Sequence, residues 1–237
     1  MHTLSLRTLA VATAFAGLQA TSAVAANLVA NGNFELGNTG FSSDYTYSNP
    51  VPDTNGFPER NYTVGANPFA WHNLFVPLAD HTTGSGLMFI GNGSSNTTDR
   101  VWFQSINGVT IGQRYFFEAF VANVCCNPSG PQGAAVATLS FFANGALLGT
   151  RTTNQLGIWE GLSTDWIADS GTVDLMILNS QAALTGNDFA VDDINFSITS
   201  TTVVPVPGAL PIMLSGLVAI GWAARRGDKK KAVRSKS

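Results

Sequence analysis

Lysine is missing from most of this 237-residue chain, and charge of either sign is scarce, at 11% of residues. All four lysines stand among residues 229–236. Of the 12 Lys and Arg, seven lie in residues 225–236 and Arg7 lies near the start, so only Arg60, Arg100, Arg114 and Arg151 remain between. That central stretch keeps 14 of the 15 acidic residues, giving it a net charge of −10 against −3 for the whole chain. An acidic, lysine-free surface repels phosphate backbones, which excludes nucleic acid as a partner. It suits hard cations such as calcium, which prefer carboxylate and carbonyl oxygens.

Histidine and cysteine are nearly as rare. His72 and His81 are the only histidines beyond His2, and neither sits in a metal-binding HExxH pattern. No serine occupies a GxSxG elbow, so an esterase is not indicated. The acidic residues nominate no glycosidase pair by context, and a non-catalytic protein is the expectation. Cys125 and Cys126 are adjacent and are the only cysteines. Without a CxxC spacing or paired histidines they are not a zinc site. They close a small disulfide ring with each other, remain thiols, or bond to another chain.

The two ends read as addresses. Residues 1–25 run from Arg7 through an apolar stretch to Ala23-Val24-Ala25, the layout of a secretory signal peptide. Residues 201–207 form a proline-rich joint that includes Val204, Pro205, Val206 and Pro207. Residues 208–224 are uncharged and mostly apolar, long enough at about 1.5 Å per residue for a short transmembrane helix. Residues 225–237, opening with Arg225 and Arg226, are a basic tail expected to stay cytoplasmic. Residues 26–200 would then form one extracellular domain, large enough for its own core.

Within that domain the segments are short, β-branched and aromatic, parted by Gly, Asn, Ser and Pro. Strands are expected at 28–34, 69–76, 86–90, 100–106, 114–121, 135–143, 146–152, 157–166, 172–179 and 189–199. Val173, Leu175 and Ile177 alternate with Thr172, Asp174 and Met176, which is the period of a half-buried strand. Asn144-Gly145 is a hairpin signal because both residue types tolerate positive φ. Residues 38–67, rich in Asn, Ser, Pro and Gly, read as a long excursion. No window holds a capped helical period. The pattern predicts an all-β fold, a jelly-roll sandwich.

Two acidic stretches face each other across the sequence: Asn31-Gly32-Asn33-Phe34-Glu35 near the start and Val191-Asp192-Asp193-Ile194 near the close. If the first and last strands lie side by side, Glu35 approaches Asp192 or Asp193, and a cation between them relieves the repulsion. This pairing resembles the galactose-binding-like jelly roll of many carbohydrate-binding modules. The resemblance implies that Glu35 and Asp192, with Asp193, hold a structural calcium. It also implies polysaccharide as a ligand, with aromatic rings stacked on sugar faces. Trp71 beside His72, Trp159 beside Glu160, and Tyr45 and Tyr47 in the excursion are the candidate rings, whereas Trp102, inside Val-Trp-Phe, is expected in the core.

The tail resembles a PEP-CTERM sorting signal: Val-Pro-Val-Pro, an apolar span, then Arg225-Arg226. The residue between the prolines, usually Glu in that signal, is Val206 here. The resemblance implies an exosortase-type membrane protease as partner in a Gram-negative, exopolysaccharide-making bacterium. It places the protein at the cell surface, in the outer envelope or in the surrounding matrix, anchored in the inner membrane before processing. The sequence therefore leads to an exported polysaccharide-binding protein of a biofilm, or alternatively to an adhesive module without a small ligand.

Overall fold

The computed structural model describes residues 25–48 and 57–201. The proposed signal peptide, the sorting motif with Val204, Pro205, Val206 and Pro207, the apolar span and the basic tail with Arg225 and Arg226 lie outside the described residues. Among the described residues no helix is long and apolar enough to cross a membrane.

Among the described residues, ten strands form two sheets: β1 (Thr46–Tyr47), β2 (Asn61–Gly65), β3 (Met88–Gly91), β4 (Arg100–Asn107), β5 (Arg114–Asn123), β6 (Thr138–Ala143), β7 (Ala146–Thr152), β8 (Trp159–Ile167), β9 (Thr172–Asn179) and β10 (Phe189–Ser197). One sheet has six strands, ordered β1-β2-β3-β10-β5-β8, and the other four, ordered β4-β9-β6-β7. Every pairing between strands is antiparallel except that of β1 with β2. The all-β sandwich expected from the sequence is thus the observed architecture.

The sheets close on a core that the alternation of each strand dictates. Trp102, Phe117, Phe141, Leu175, Ile177 and Phe196 point inward and are shielded from solvent. Burying each such side chain contributes about 1.5–3 kcal/mol. The β6–β7 hairpin turns at Asn144 and Gly145, both at positive φ (48° and 78°), as the Asn-Gly signal predicts. A bulge interrupts β10 between Asp192, opposite Phe120, and Asn195, opposite Glu118. Asp193 lies in that bulge at φ 49°, which turns its side chain out of the strand's alternation.

Three expectations need correction. Residues 28–34 form turns, because Asn31 (φ 53°) and Phe34 (φ 56°) are left-handed. The segment nevertheless lies along β10: Leu28 N donates to Phe196 O at 2.9 Å and Ile194 N donates to Gly32 O at 2.8 Å. A side chain at Gly32 would collide with that Ile194 carbonyl. Residues 69–76 are also not a strand. Asn67 caps a single 3-10 turn, Pro68–Ala70, with its side chain accepting from Phe69 N at 3.1 Å, and turns follow. Conversely, the excursion 38–67 supplies β1 and β2. Tyr62 of β2 stacks on Phe89 with ring centroids 4.8 Å apart.

The segment between β2 and β3 determines which surfaces are available. It folds back over the outer side of the six-stranded sheet and builds a second core there. Trp71 and Phe75 of this segment, joined by Phe57 from just before β2, pack on Met88, Ile90, Val124 and Ala190.

Candidate functional site

The outer side of the four-stranded sheet carries a different surface. Registry sets Phe103 of β4 opposite Met176 of β9, Met176 opposite Phe142 of β6, and Phe142 opposite Leu147 of β7. The four side chains cross the sheet as one apolar band. Phe103, Met176 and Phe142 are half-buried, and Leu147 is 57% exposed. These residues sit here because strand parity sends their neighbours inward: Trp102, Leu175, Ile177, Phe141 and Ala143 belong to the main core.

Polar groups flank the band. On one side Ser105 Oγ donates to Asp174 Oδ1 at 2.5 Å, and Asp174 N donates to Asn144 Oδ1 at 2.9 Å. On the other side the Arg100 guanidinium lies over the Phe103 ring, its carbon 3.6 Å from the centroid. Arg100 is fixed by two bonds to Asp44, Nε to Oδ2 at 2.8 Å and one Nη to Oδ1 at 2.9 Å. The hydrogen bond from Arg100 holds the Asp44 carboxyl below its ordinary value, so the pair stays charged. Phe103 stands between two hollows. One, of 340 Å³, continues past Ser105 and Asn144; the other, of 290 Å³, continues past Ser42 and Phe41. An apolar strip edged by amide, hydroxyl and carboxylate groups can receive a ring with one greasy face and a polar rim.

The rings proposed from sequence are placed elsewhere. Trp71 and Tyr45 are each only 4% exposed, Trp71 in the second core and Tyr45 in the main one, so neither offers a face to a sugar. Tyr47, on β1, is 36% exposed. Trp159, on β8, is half-buried and donates from Nε1 to Ala79 O at 3.0 Å. β1 and β8 are opposite edges of the six-stranded sheet, so Tyr47 and Trp159 do not share a platform. Trp102 is fully buried, as expected.

The acidic residues converge on the loop before β3. Asp192 is fully buried and accepts from His81 N at 2.7 Å and from Thr82 N at 3.2 Å. Asp193 accepts from Thr82 Oγ1 at 2.7 Å and meets His81 Nδ1 at 2.6 Å. Glu35 reaches the far end of the same loop, where its Oε1 accepts from Leu87 N at 2.9 Å. Burial pushes the Asp192 carboxyl up to about 7; neighbouring Asp193 adds to this, while N–H donors from Asp193, His81 and Thr82 oppose it. Glu35, Asp192 and Asp193 are hard oxygen donors of the kind calcium takes. Among the described residues, though, no group of three or more His, Cys, Asp or Glu is gathered to hold a metal. Backbone carbonyls would have to complete any such site.

Sequence reasoning passed over His81. Its ring stacks on Phe120 with centroids 3.5 Å apart and forms one wall of a 570 Å³ cleft shared with Asp193 and Asn31. It also passed over Phe103, although the Val-Trp-Phe alternation contains the signal: if Trp102 points in, Phe103 points out. Cys125 and Cys126 are joined to each other, resolving the three alternatives left by the sequence. All four described arginines are paired, with Asp99, Asp44, Asp165 and Glu160, so no basic patch forms among the described residues.

No known protein family matches the chain, and no curated protein matches it. Several solved structures do. The tandem family 22 carbohydrate-binding modules of Paenibacillus barcinonensis Xyn10C are 15% identical over 80% of this chain and 49% of that one, with a TM-score of 0.46. A family 61 module in complex with β-1,4-galactotriose is 12% identical over 72% of this chain and 97% of that one, with a TM-score of 0.43. A Stig cyclase from Fischerella sp. TAU is 13% identical over 73% of this chain and 98% of that one, also with a TM-score of 0.43. Carbohydrate-binding modules with a β-sandwich fold therefore stand among the structural neighbours, and so does an enzyme. At these scores the likeness assigns no function.

Proposed function

We propose that this chain is an exported, non-catalytic polysaccharide-binding protein whose sugar platform is the outer side of the four-stranded sheet. One observation carries the reading: the Phe103–Met176–Phe142–Leu147 band crosses the strands, with Leu147 exposed and the other three half-buried, and is edged by Arg100, Ser105, Asp174 and Asn144. Pyranose rings would stack on the band, with hydroxyls meeting the polar edges. An open strip running across strands suits a chain of sugars better than one isolated unit.

Export and anchoring follow from residues 1–25 and 201–237, which the sequence reading assigns to a signal peptide and an exosortase-type sorting signal. The setting we propose is accordingly the surface or exopolysaccharide matrix of a Gram-negative cell. Calcium belongs to the proposal as a structural ion, with Glu35, Asp192 and Asp193 as its carboxylates beside the loop before β3. It would supply the positive charge that buried Asp192 lacks.

The test is affinity electrophoresis of the full-length chain in gels containing soluble polysaccharides. Phe103→Ala should abolish retardation, a loss of at least about tenfold in affinity, with little change in melting temperature. Trp71→Ala should instead unfold the second core. Undiminished retardation of a folded Phe103→Ala protein would refute the sheet-face assignment. Absence of retardation in every polysaccharide, together with self-association of the chain, would favour the adhesive module. For calcium, EDTA should lower the melting temperature by several degrees, and Asp192→Ala or Glu35→Ala should erase the difference. An unchanged melting curve in EDTA would remove calcium from the account.

A further inference from the structure

The Cys125–Cys126 disulfide takes no part in the surface just described. It lies at the end of β5, in a separate open groove of 350 Å³. Cys125 is 5% exposed and packs into the second core, whereas Cys126 is half-buried. Two adjacent cysteines joined to each other close an eight-membered ring. Such a ring exposes a compact, polarizable sulfur surface with no hydrogen-bond demand of its own.

The groove around this ring is built rather than accidental. Phe75 bridges to Cys125 in antiparallel pairing. Asn127 N donates to Leu74 O at 2.8 Å, and Asn127 Nδ2 donates to Asn73 O at 2.8 Å. Asn123 Oδ1 accepts from Cys125 N at 3.0 Å. Gly130 leaves the space that a Cβ would fill against Cys126. The disulfide is therefore held from both sides by backbone bonds and by the side chains of Asn123 and Asn127. Pro128, Val136 and Leu156 add apolar walls, and the amides of Asn123 and Gln132 add polar groups. No charged side chain lines the groove.

The ligand class follows from these features. Without a lining charge the groove gives no advantage to an ionic ligand. An apolar floor with a few amides matches a molecule with one C–H face and hydroxyls at its rim. A volume of 350 Å³ stands near the low end of ligand pockets, about 300–1,000 Å³. It accommodates one ring and not a polymer.

We propose that this groove is a second sugar subsite, for a single neutral hexopyranose ring stacked on the Cys125–Cys126 disulfide, with hydroxyls bonded to Asn123 and Gln132. This rests on the reading of the chain as a sugar-binding protein. It adds a site that takes a chain end or side branch, apart from the sheet face that takes the main chain.

Methyl β-D-glucopyranoside and methyl β-D-galactopyranoside are the probes, added to the full-length chain and followed by saturation-transfer-difference NMR. At least one should bind with a dissociation constant on the order of 1 mM, with transfer strongest to the ring protons of one face. Ala134→Trp, which fills the groove from its rim, should weaken binding by roughly tenfold or more without lowering the melting temperature. Cys125→Ser with Cys126→Ser, and reduction of the wild type, should weaken it similarly. Phe103→Ala should leave it unchanged.

Wild-type binding by a folded Ala134→Trp protein would overturn the subsite, as would an absence of transfer from both glycosides. Tighter binding of cyclohexanol than of either glycoside would overturn it too, by making the groove merely greasy. The two readings separate cleanly. Glycoside binding without polysaccharide retardation leaves the subsite standing and sinks the sheet face. Phe103-dependent retardation without glycoside binding does the reverse.

Discussion

The outer sides of the two sheets began with the same alternation of residues and met different fates. On the six-stranded sheet, Met88, Ile90 and Ala190 lie beneath Phe57, Trp71 and Phe75, and the Asp192 carboxylate is sealed against the loop before β3. On the four-stranded sheet, Phe103, Met176, Phe142 and Leu147 stay at the surface. The difference teaches that an aromatic residue on a strand's outer side is stabilising or available depending on what the connecting segment does. Strand parity alone does not decide it.

This contrast can be broken by substitution. The largest effect should come from the covered side. Phe75→Ala should cost about 3–5 kcal/mol, the usual range for a fully buried phenylalanine, whereas Phe103→Ala should cost under about 1 kcal/mol. Chemical denaturation of the two variants measures both. Equal losses would mean the open side is as structural as the covered one.

A smaller effect sharpens the comparison through pH. Asp188, immediately before β10, is 5% exposed and accepts from Gly93 N at 2.9 Å. Burial pushes its carboxyl up to about 7, with the Gly93 donor opposing and Glu59 assisting. A group raised in the folded state binds its proton more tightly there. Its favourable contribution is complete below the ordinary value of 3.8 and is lost as pH rises through about 7. Asp188→Asn should therefore stabilise the protein at pH 8 by on the order of 1–3 kcal/mol relative to wild type, and by little at pH 4. A constant difference across that range would exclude Asp188 as the titrating group.

Glu118 has the opposite sign. Burial opposes its charge, but hydrogen bonds from Ser163, Ser200 and Thr201 outweigh that and hold it at about 2. Its contribution is present above the ordinary value of 4.5 and fades as pH falls towards 2. Glu118→Gln should lower stability at pH 6 and cost progressively less below pH 4. This is the smallest and most local of the effects, because Glu118 pins residues 200–201 to the middle of β5.

Much of the architecture was legible in the sequence, and the reasons are local. The strand at 172–179 is read directly because Val173, Leu175 and Ile177 bury one side while Thr172 and Asp174 stay outside. Asn144-Gly145 announces its hairpin because turn geometry demands positive φ there. What escaped was non-local. β2 lies in a stretch dominated by turn formers, and only its pairing with β3 makes it a strand. Trp71 looked available beside His72 and Asn73, yet its burial depends on Phe57 and Phe75 meeting it over a distant sheet. The sequence singled out Asp192 and Asp193 as partners for Glu35, but not the loop before β3 that both of them meet. That Asp193 leaves the strand through a bulge was not legible either, because a bulge is a property of pairing. The candidate site was missed for a simpler reason: choosing rings by type favoured Trp and Tyr, whereas strand parity selects Phe103.

The most direct measurement is amide chemical-shift mapping of the isotopically labelled full-length chain with a retarding polysaccharide added. The account predicts the main shifts at residues 100–105, 142–147 and 174–176, any chain-end shifts only around the groove at residues 123–136, and none around Trp71. Shifts centred on residues 57–90, with a silent four-stranded sheet, would contradict it.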